Sequence, residues 1–148
     1  MEKRESSLRS YINILAYGVL ILMSACNGGV EPIDYGKEAC AHCKMTIVDY
    51  HFAAEMITSK GKVYKFDDVS CMRQFADYYS DMTKGAKYYV SDFGSEKGTL
   101  IDAANAVYLK HEFFTSPMNG NAAAFLNTQE AKHLQDSLSI QAINWNNL

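Results

Sequence analysis

The chain has no surplus of positive charge: 14 Lys and Arg stand against 17 Asp and Glu, for a formal net charge of −3. No basic stripe breaks that balance, so there is no footing for nucleic acid, whose binding is carried by phosphate neutralisation. It lacks a glycine-rich phosphate loop, an HExxH zinc-protease signature and any nucleophile with a base at motif spacing. With no such constellation, it reads as a non-enzyme. The longest apolar run, residues 14–23, falls short of the roughly 20 residues a helix needs to cross a bilayer. Cysteine is sparse, at four residues: Cys26, Cys40, Cys43 and Cys71.

The N-terminus is built for export. Lys3, Arg4 and Arg9 form a basic start, the short apolar run follows, and small residues close it. Leu22-Met23-Ser24-Ala25-Cys26 resembles a bacterial lipobox. The expected organisation is a signal peptide over residues 1–25, then a lipidated Cys26 with a tether to residue 35. A domain over 36–148 follows. Acyl chains on Cys26 would hold that domain on a membrane, since each buried CH₂ contributes about 0.8 kcal/mol. The expected location is extracytoplasmic, on the periplasmic side or at the outer membrane. Once Cys26 is given to lipid, three cysteines remain, and an odd number in an oxidising compartment implies a free thiol, a ligand or a partner chain.

Cys40-Ala41-His42-Cys43-Lys44-Met45 gathers two thiols, an imidazole and a thioether within six residues. Soft donors of this kind favour Cu(I), and hard cations avoid them. A Met two residues after a Cys does not belong to a zinc-ribbon pattern, because zinc rarely takes thioether. Cys43 is the leading ligand, with Cys40 and His42 beside it. Cys40 and Cys43 could instead close a disulfide, which CxxC on a turn permits. Met45 lies on the face of Cys43 if the segment is extended. Met118 sits among turn residues, Ser116-Pro117-Met118-Asn119-Gly120, where a loop Met points to function more than packing. Cys71 is expected to be partly buried and inert, and Asp67 and Asp68 to serve as helix caps.

The mature chain reads as α+β, with two similar ββαβ units packed together. Unit one runs over about 45–93 and unit two over about 99–145. In the first, strands at 52–58 and 63–66 precede a helix capped by Asp67-Asp68, with Val69, Met72, Phe75, Ala76 and Tyr79 on one face. A strand at 87–93 follows. In the second, strands at 107–112 and 122–125 precede a helix opened by the capping box Asn127-Thr128-Gln129-Glu130. A final strand is expected at 139–145. Residues 94–98 are the expected turn between units.

Taken in order, these pieces resemble the NosL family: the lipobox, Cys43-Lys44-Met45, Tyr64-Lys65-Phe66-Asp67-Asp68, Tyr89-Val90-Ser91-Asp92-Phe93-Gly94, Ile101-Asp102-Ala103 and Ser116-Pro117-Met118-Asn119-Gly120. The resemblance implies two ββαβ units distantly like the organomercurial lyase. It also implies a lipoprotein that chaperones Cu(I) to nitrous oxide reductase. The implied partners are that copper-accepting enzyme, its associated membrane transporter and, through the lipid anchor, a membrane. Met45 corresponds to the Met of the family's Cys-x-Met. Met118 matches its Met-Gly loop only approximately, because Asn119 intervenes. Cys40 is extra, making CxxCxM. Two other functions fit the residues: a thiol–disulfide oxidoreductase using Cys40 and Cys43, and a structural lipoprotein without metal. Against the first, the pair does not open a helix as a thioredoxin-like site would.

Overall fold

The computed structural model describes residues 29–148; the leader and Cys26 lie outside the described residues. The first unit opens with a hairpin, β1 (Ala54–Ile57) and β2 (Val63–Phe66), paired antiparallel with Ala54 opposite Phe66. Helix α1 (Val69–Tyr78) follows directly. Asp68 is its N-cap, extended at φ −153°, and its carboxylate accepts Ser70 N–H. Val69, Met72 and Phe75 recur at helical spacing and are buried against the sheet. A single turn, α2 (Ser80–Thr83), and Gly85 at φ 74° lead into β3 (Lys87–Ser91). Strand β4 (Leu100–Asp102) completes an antiparallel sheet in the order β2-β1-β3-β4.

The second unit repeats the plan. Strands β5 (Val107–Lys110) and β6 (Ala122–Phe125), helix α3 (Thr128–Leu138) and β7 (Ala142–Ile143) form a sheet in the order β6-β5-β7. The expected α+β architecture, ββαβ read twice, is what the chain adopts. Two details differ. The last strand spans two residues rather than 139–145, because Ser139 ends α3 in the left-handed region at φ 54° and Asn144 caps a 3-10 turn over Trp145–Asn147. The turn at 94–98 does not pass between units. It joins β3 to β4 within the first sheet, where Ile101 pairs with Val90 and is buried with the first core.

The interior divides into two clusters, each drawing on both units. The larger lies between the first sheet and α1, and includes Met56, Phe66, Met72, Phe75 and Val90. The smaller is aromatic, with Phe52, Phe114 and Phe125 packed around Phe93 beneath α3. Burying each such ring stabilises by about 1.5–3 kcal/mol. The units meet through backbone and side chain. Phe93 N–H donates to Ala124 O at 2.8 Å, extending β3 onto β6. Trp145, near the C-terminus, packs 5.3 Å from the ring of Tyr88 and 4.7 Å beneath the Arg73 guanidinium of α1.

Strand β1 is covered on both faces, so even Glu55 is fully buried. Its carboxylate accepts Glu31 N–H at 3.1 and 3.2 Å and lies opposite Lys65 on β2. Burial raises the Glu55 pKa above the ordinary carboxylate value. Among the described residues no helix is long and apolar enough to cross a membrane.

Candidate metal centre

Residues 39–46 fold back on themselves beside the edge strand β2. Ala39 and Thr46 form an antiparallel bridge, Cys40 N–H donates to Met45 O at 2.8 Å, and Lys44 N–H returns to Cys40 O at 3.0 Å. Lys44 takes a left-handed conformation at φ 69° to close the turn. Ala41 N–H reaches Lys65 O on β2 at 2.8 Å, which fixes the loop to the sheet. This tight turn sets the two thiols of CxxC facing the N-terminus of α1.

There they meet two residues from the other side. Cys40, Cys43, Asp67 and Cys71 each offer one donor atom, all within 4.8 Å of one another. Cys40 and Cys71 are fully buried, Asp67 is 2% exposed, and Cys43 is half-buried at the rim. All three cysteines are free thiols. Cys43 Sγ donates to Asp67 Oδ2 at 3.2 Å. The other oxygen, Asp67 Oδ1, is buried with no hydrogen-bond partner. An unpaired buried acceptor of this kind costs about 1–3 kcal/mol, which a cation in the cluster would recover.

The protons of the cluster are unevenly held. The Cys71 thiol draws Cys40 down to about 6, helped by the amides of Asp67 and Cys43 and opposed by burial. Cys43 is pushed up to about 11, first by burial and then by its bonds to Asp67 and Cys40, with the Met45 amide acting the other way. Cys71 is raised, chiefly because its thiol donates a hydrogen bond to Cys40. A soft cation bound among these sulfurs would displace the thiol protons.

The residues singled out in the sequence divide by placement. Cys40 and Cys43 come together in the cluster. His42, between them, is half-buried and is not among its four donors. Met45 is 54% exposed. Because Lys44 is left-handed, residues 43–45 are not extended, so the alternation that would put Met45 and Cys43 on one face does not apply. Met118 is 38% exposed on the second unit's loop, and its backbone N–H donates to Asp68 Oδ2 at 3.2 Å.

Two residues were read differently from sequence. Cys71, expected inert, is the third thiol of the cluster, because the third position of α1 points it at Cys40. Of the two aspartates expected as caps, only Asp68 caps; Asp67 turns its carboxylate into the cluster. A signal was available. Asp67 and Cys71 are four residues apart across a helix start, and Cys71 was the thiol left over once Cys40 and Cys43 were paired.

A model of the NosL family matches residues 33–146. The crystal structure of the copper chaperone NosL from Shewanella denitrificans shares the fold, with a TM-score of 0.69 at 19% sequence identity. The match covers 82% of this chain and 96% of that one. No curated protein matches the sequence.

Proposed function

This chain belongs to the NosL family, and from that premise we propose that it carries Cu(I) as cargo and passes it to an extracytoplasmic cuproenzyme. The observation that carries this reading is the convergence of three free thiols and the Asp67 carboxylate within 4.8 Å. Thiolates suit soft monovalent copper, and the donor set fits such an ion. Cys43, at the rim, is the first thiol an arriving or departing ion would meet. Cys40 and Cys71 would hold it from within; Cys43 would release its proton to solvent on binding, leaving the Asp67 carboxylate that had accepted it beside the ion.

Met45 and Met118 are assigned to the approach. A thioether needs no deprotonation and cannot form a disulfide, which suits an oxidising compartment. His42 stands beside Cys43 as a further donor during exchange. Transfer then proceeds associatively: an acceptor's ligand attacks from the rim while the inner thiols release one at a time. The acceptor in this reading is nitrous oxide reductase, working with its associated membrane transporter. Cys26 would tether the domain to the membrane through acyl chains, which a Cys26→Ser chain would lack in palmitate labelling and membrane fractionation.

The test is an anaerobic titration of the reduced protein with Cu(I) against a colorimetric Cu(I) chelator. The reading expects tight competition that Cys43→Ser abolishes and that Met45→Leu and Met118→Leu weaken. No competition, or equal binding by every variant, would leave the thiol-redox and structural readings in its place.

A further inference from the structure

Asp68 makes more hydrogen bonds than a helix cap requires. A cap needs one acceptor for the first free amides of the helix, and Asp68 Oδ1 supplies it by accepting Ser70 N–H at 2.7 Å. The other oxygen reaches out of the unit. Asp68 Oδ2 accepts the hydroxyl of Ser116 and the backbone N–H of Met118 at 3.2 Å, 48 and 50 residues further along the chain. Asp68 is fully buried and Ser116 is 3% exposed, so these bonds are sheltered from water.

The loop they hold is shaped for that seat. Ser116 Oγ also accepts Asn121 N–H at 2.8 Å, and Asn119 N–H donates to Ser116 O at 3.1 Å, closing residues 116–121 around the serine. Asn119 and Asn121 are left-handed, at φ 54° and 50°. Between them Gly120 lies so close to the first turn of α1 that a Cβ there would stand 2.7 Å from Asp68 Oδ1 and 2.9 Å from Ser70 Cβ. The loop is therefore seated against the turn of α1 that carries Cys71, with the Met118 side chain left partly exposed.

We propose that Asp68 is a positioning residue for copper exchange, a latch from the first unit that holds the Met118 thioether of the second unit at the rim of the thiol cluster. It acts through Met118 and touches no cargo itself. The inference rests on the reading of Met118 as a copper donor. It adds the reason a residue from the other half of the chain can serve there at all. Releasing the latch would let the loop swing and withdraw one soft donor without disturbing the three thiols.

Asp68→Asn separates the latch from the cap. Asparagine caps helices as well as aspartate does. Its carbonyl can still accept Ser70 N–H, but its amide nitrogen then faces Met118 N–H, donor against donor. Ser116→Ala releases the loop from the other side with the cap untouched. In the reduced protein, both changes should speed hydrogen exchange at the Met118 amide while leaving that of Ser70 protected. Both should lower Cu(I) affinity about 10-fold, the range typical of residues that orient a ligand. The effect should equal that of Met118→Leu, and Asp68→Asn with Met118→Leu should be no weaker than Met118→Leu alone. Additive losses in the double variant, an unmoved Met118 amide, or a Met118→Leu protein that binds like the parent would each overturn the latch. In all three cases the thiol site would still stand. Failure of the unaltered protein to compete for Cu(I) would remove the cargo reading and the latch with it.

Discussion

The two ββαβ units can be laid over one another at the point where their second strand enters the helix. Phe66 ends β2 and Phe125 ends β6, and both are fully buried. Asp68 and Asn127 occupy the same place as side-chain N-caps, and Met72 and Ala131 both pack inward. The positions between carry the difference. Asp67 is buried in the cluster, whereas its counterpart Leu126 is 60% exposed. Cys71 is a buried thiol, and its counterpart Glu130 is exposed to solvent. The fold needs the aromatic, the cap and the inward residue one turn later. It does not need a carboxylate before the cap or a thiol inside the first turn. What the first unit has at those places beyond the shared plan belongs to the candidate metal centre, and the second unit serves as an internal control.

The largest expected effect tests whether the shared plan is truly shared. Phe66→Ala and Phe125→Ala should each cost about 3–5 kcal/mol of stability in urea unfolding, since each removes a wholly buried ring. A large loss at one position alone would break the equivalence of the two scaffolds. Next comes the difference between them. Cys71→Ser should weaken Cu(I) binding by at least about 100-fold, because it removes a ligand and loss of a group behind a ligand alone costs about 10–100-fold, while Glu130→Gln at the matched position leaves it unchanged. The affinity of the parent should also rise with pH, because Cys43 is held up to about 11 and must lose its proton to bind. A flat pH profile measured by chelator competition would argue against thiolate ligation.

The caps sharpen the comparison further. Asn127→Ala should cost about 1 kcal/mol, the usual loss for a missing cap. Asp68→Ala should cost roughly 1–3 kcal/mol more, because it also leaves the buried Ser116 hydroxyl and Met118 amide without an acceptor. Equal losses from thermal melts would mean the loop contact contributes nothing. The smallest effect concerns Glu55, which has no carboxylate counterpart on β5, where Tyr108 and Leu109 fill the middle of the strand. Its pKa is raised in the folded state, so the native chain holds this proton more tightly than the unfolded one. The resulting stability is full below the unfolded pKa and is lost as pH rises through the folded value. Glu55→Gln should flatten that decline and leave the protein more stable at neutral pH.

Much of this was legible in the residues, for identifiable reasons. Strands β2 and β6 and the start of α3 were read to the residue. Val63–Phe66 alternates and is bounded by turn residues, and Asn127 announces its helix with a capping box. The final strand was over-extended, because apolar alternation at 139–145 carries no sign that Asn144 would bond its own backbone and start a 3-10 turn. The hairpin at 40–45 gave up its two thiols readily, since they are adjacent in sequence. Cys71 and Asp67 were harder. Their role depends on a long-range packing of the loop at 39–46 against α1, and a helix-start aspartate has an adequate local explanation in capping. Met45 shows the opposite case, where a periodicity argument failed on the left-handed Lys44 that no composition rule forecasts.

The central claim, that the thiol cluster of the first unit is a Cu(I) site, is met most directly by X-ray absorption at the copper edge of the one-to-one Cu(I) complex. The expected shell is dominated by sulfur and loses one sulfur neighbour in Cys71→Ser, whereas Cys43→Ser yields no one-to-one complex. A shell of nitrogen and oxygen, or one that Cys71→Ser leaves unaltered, would contradict it.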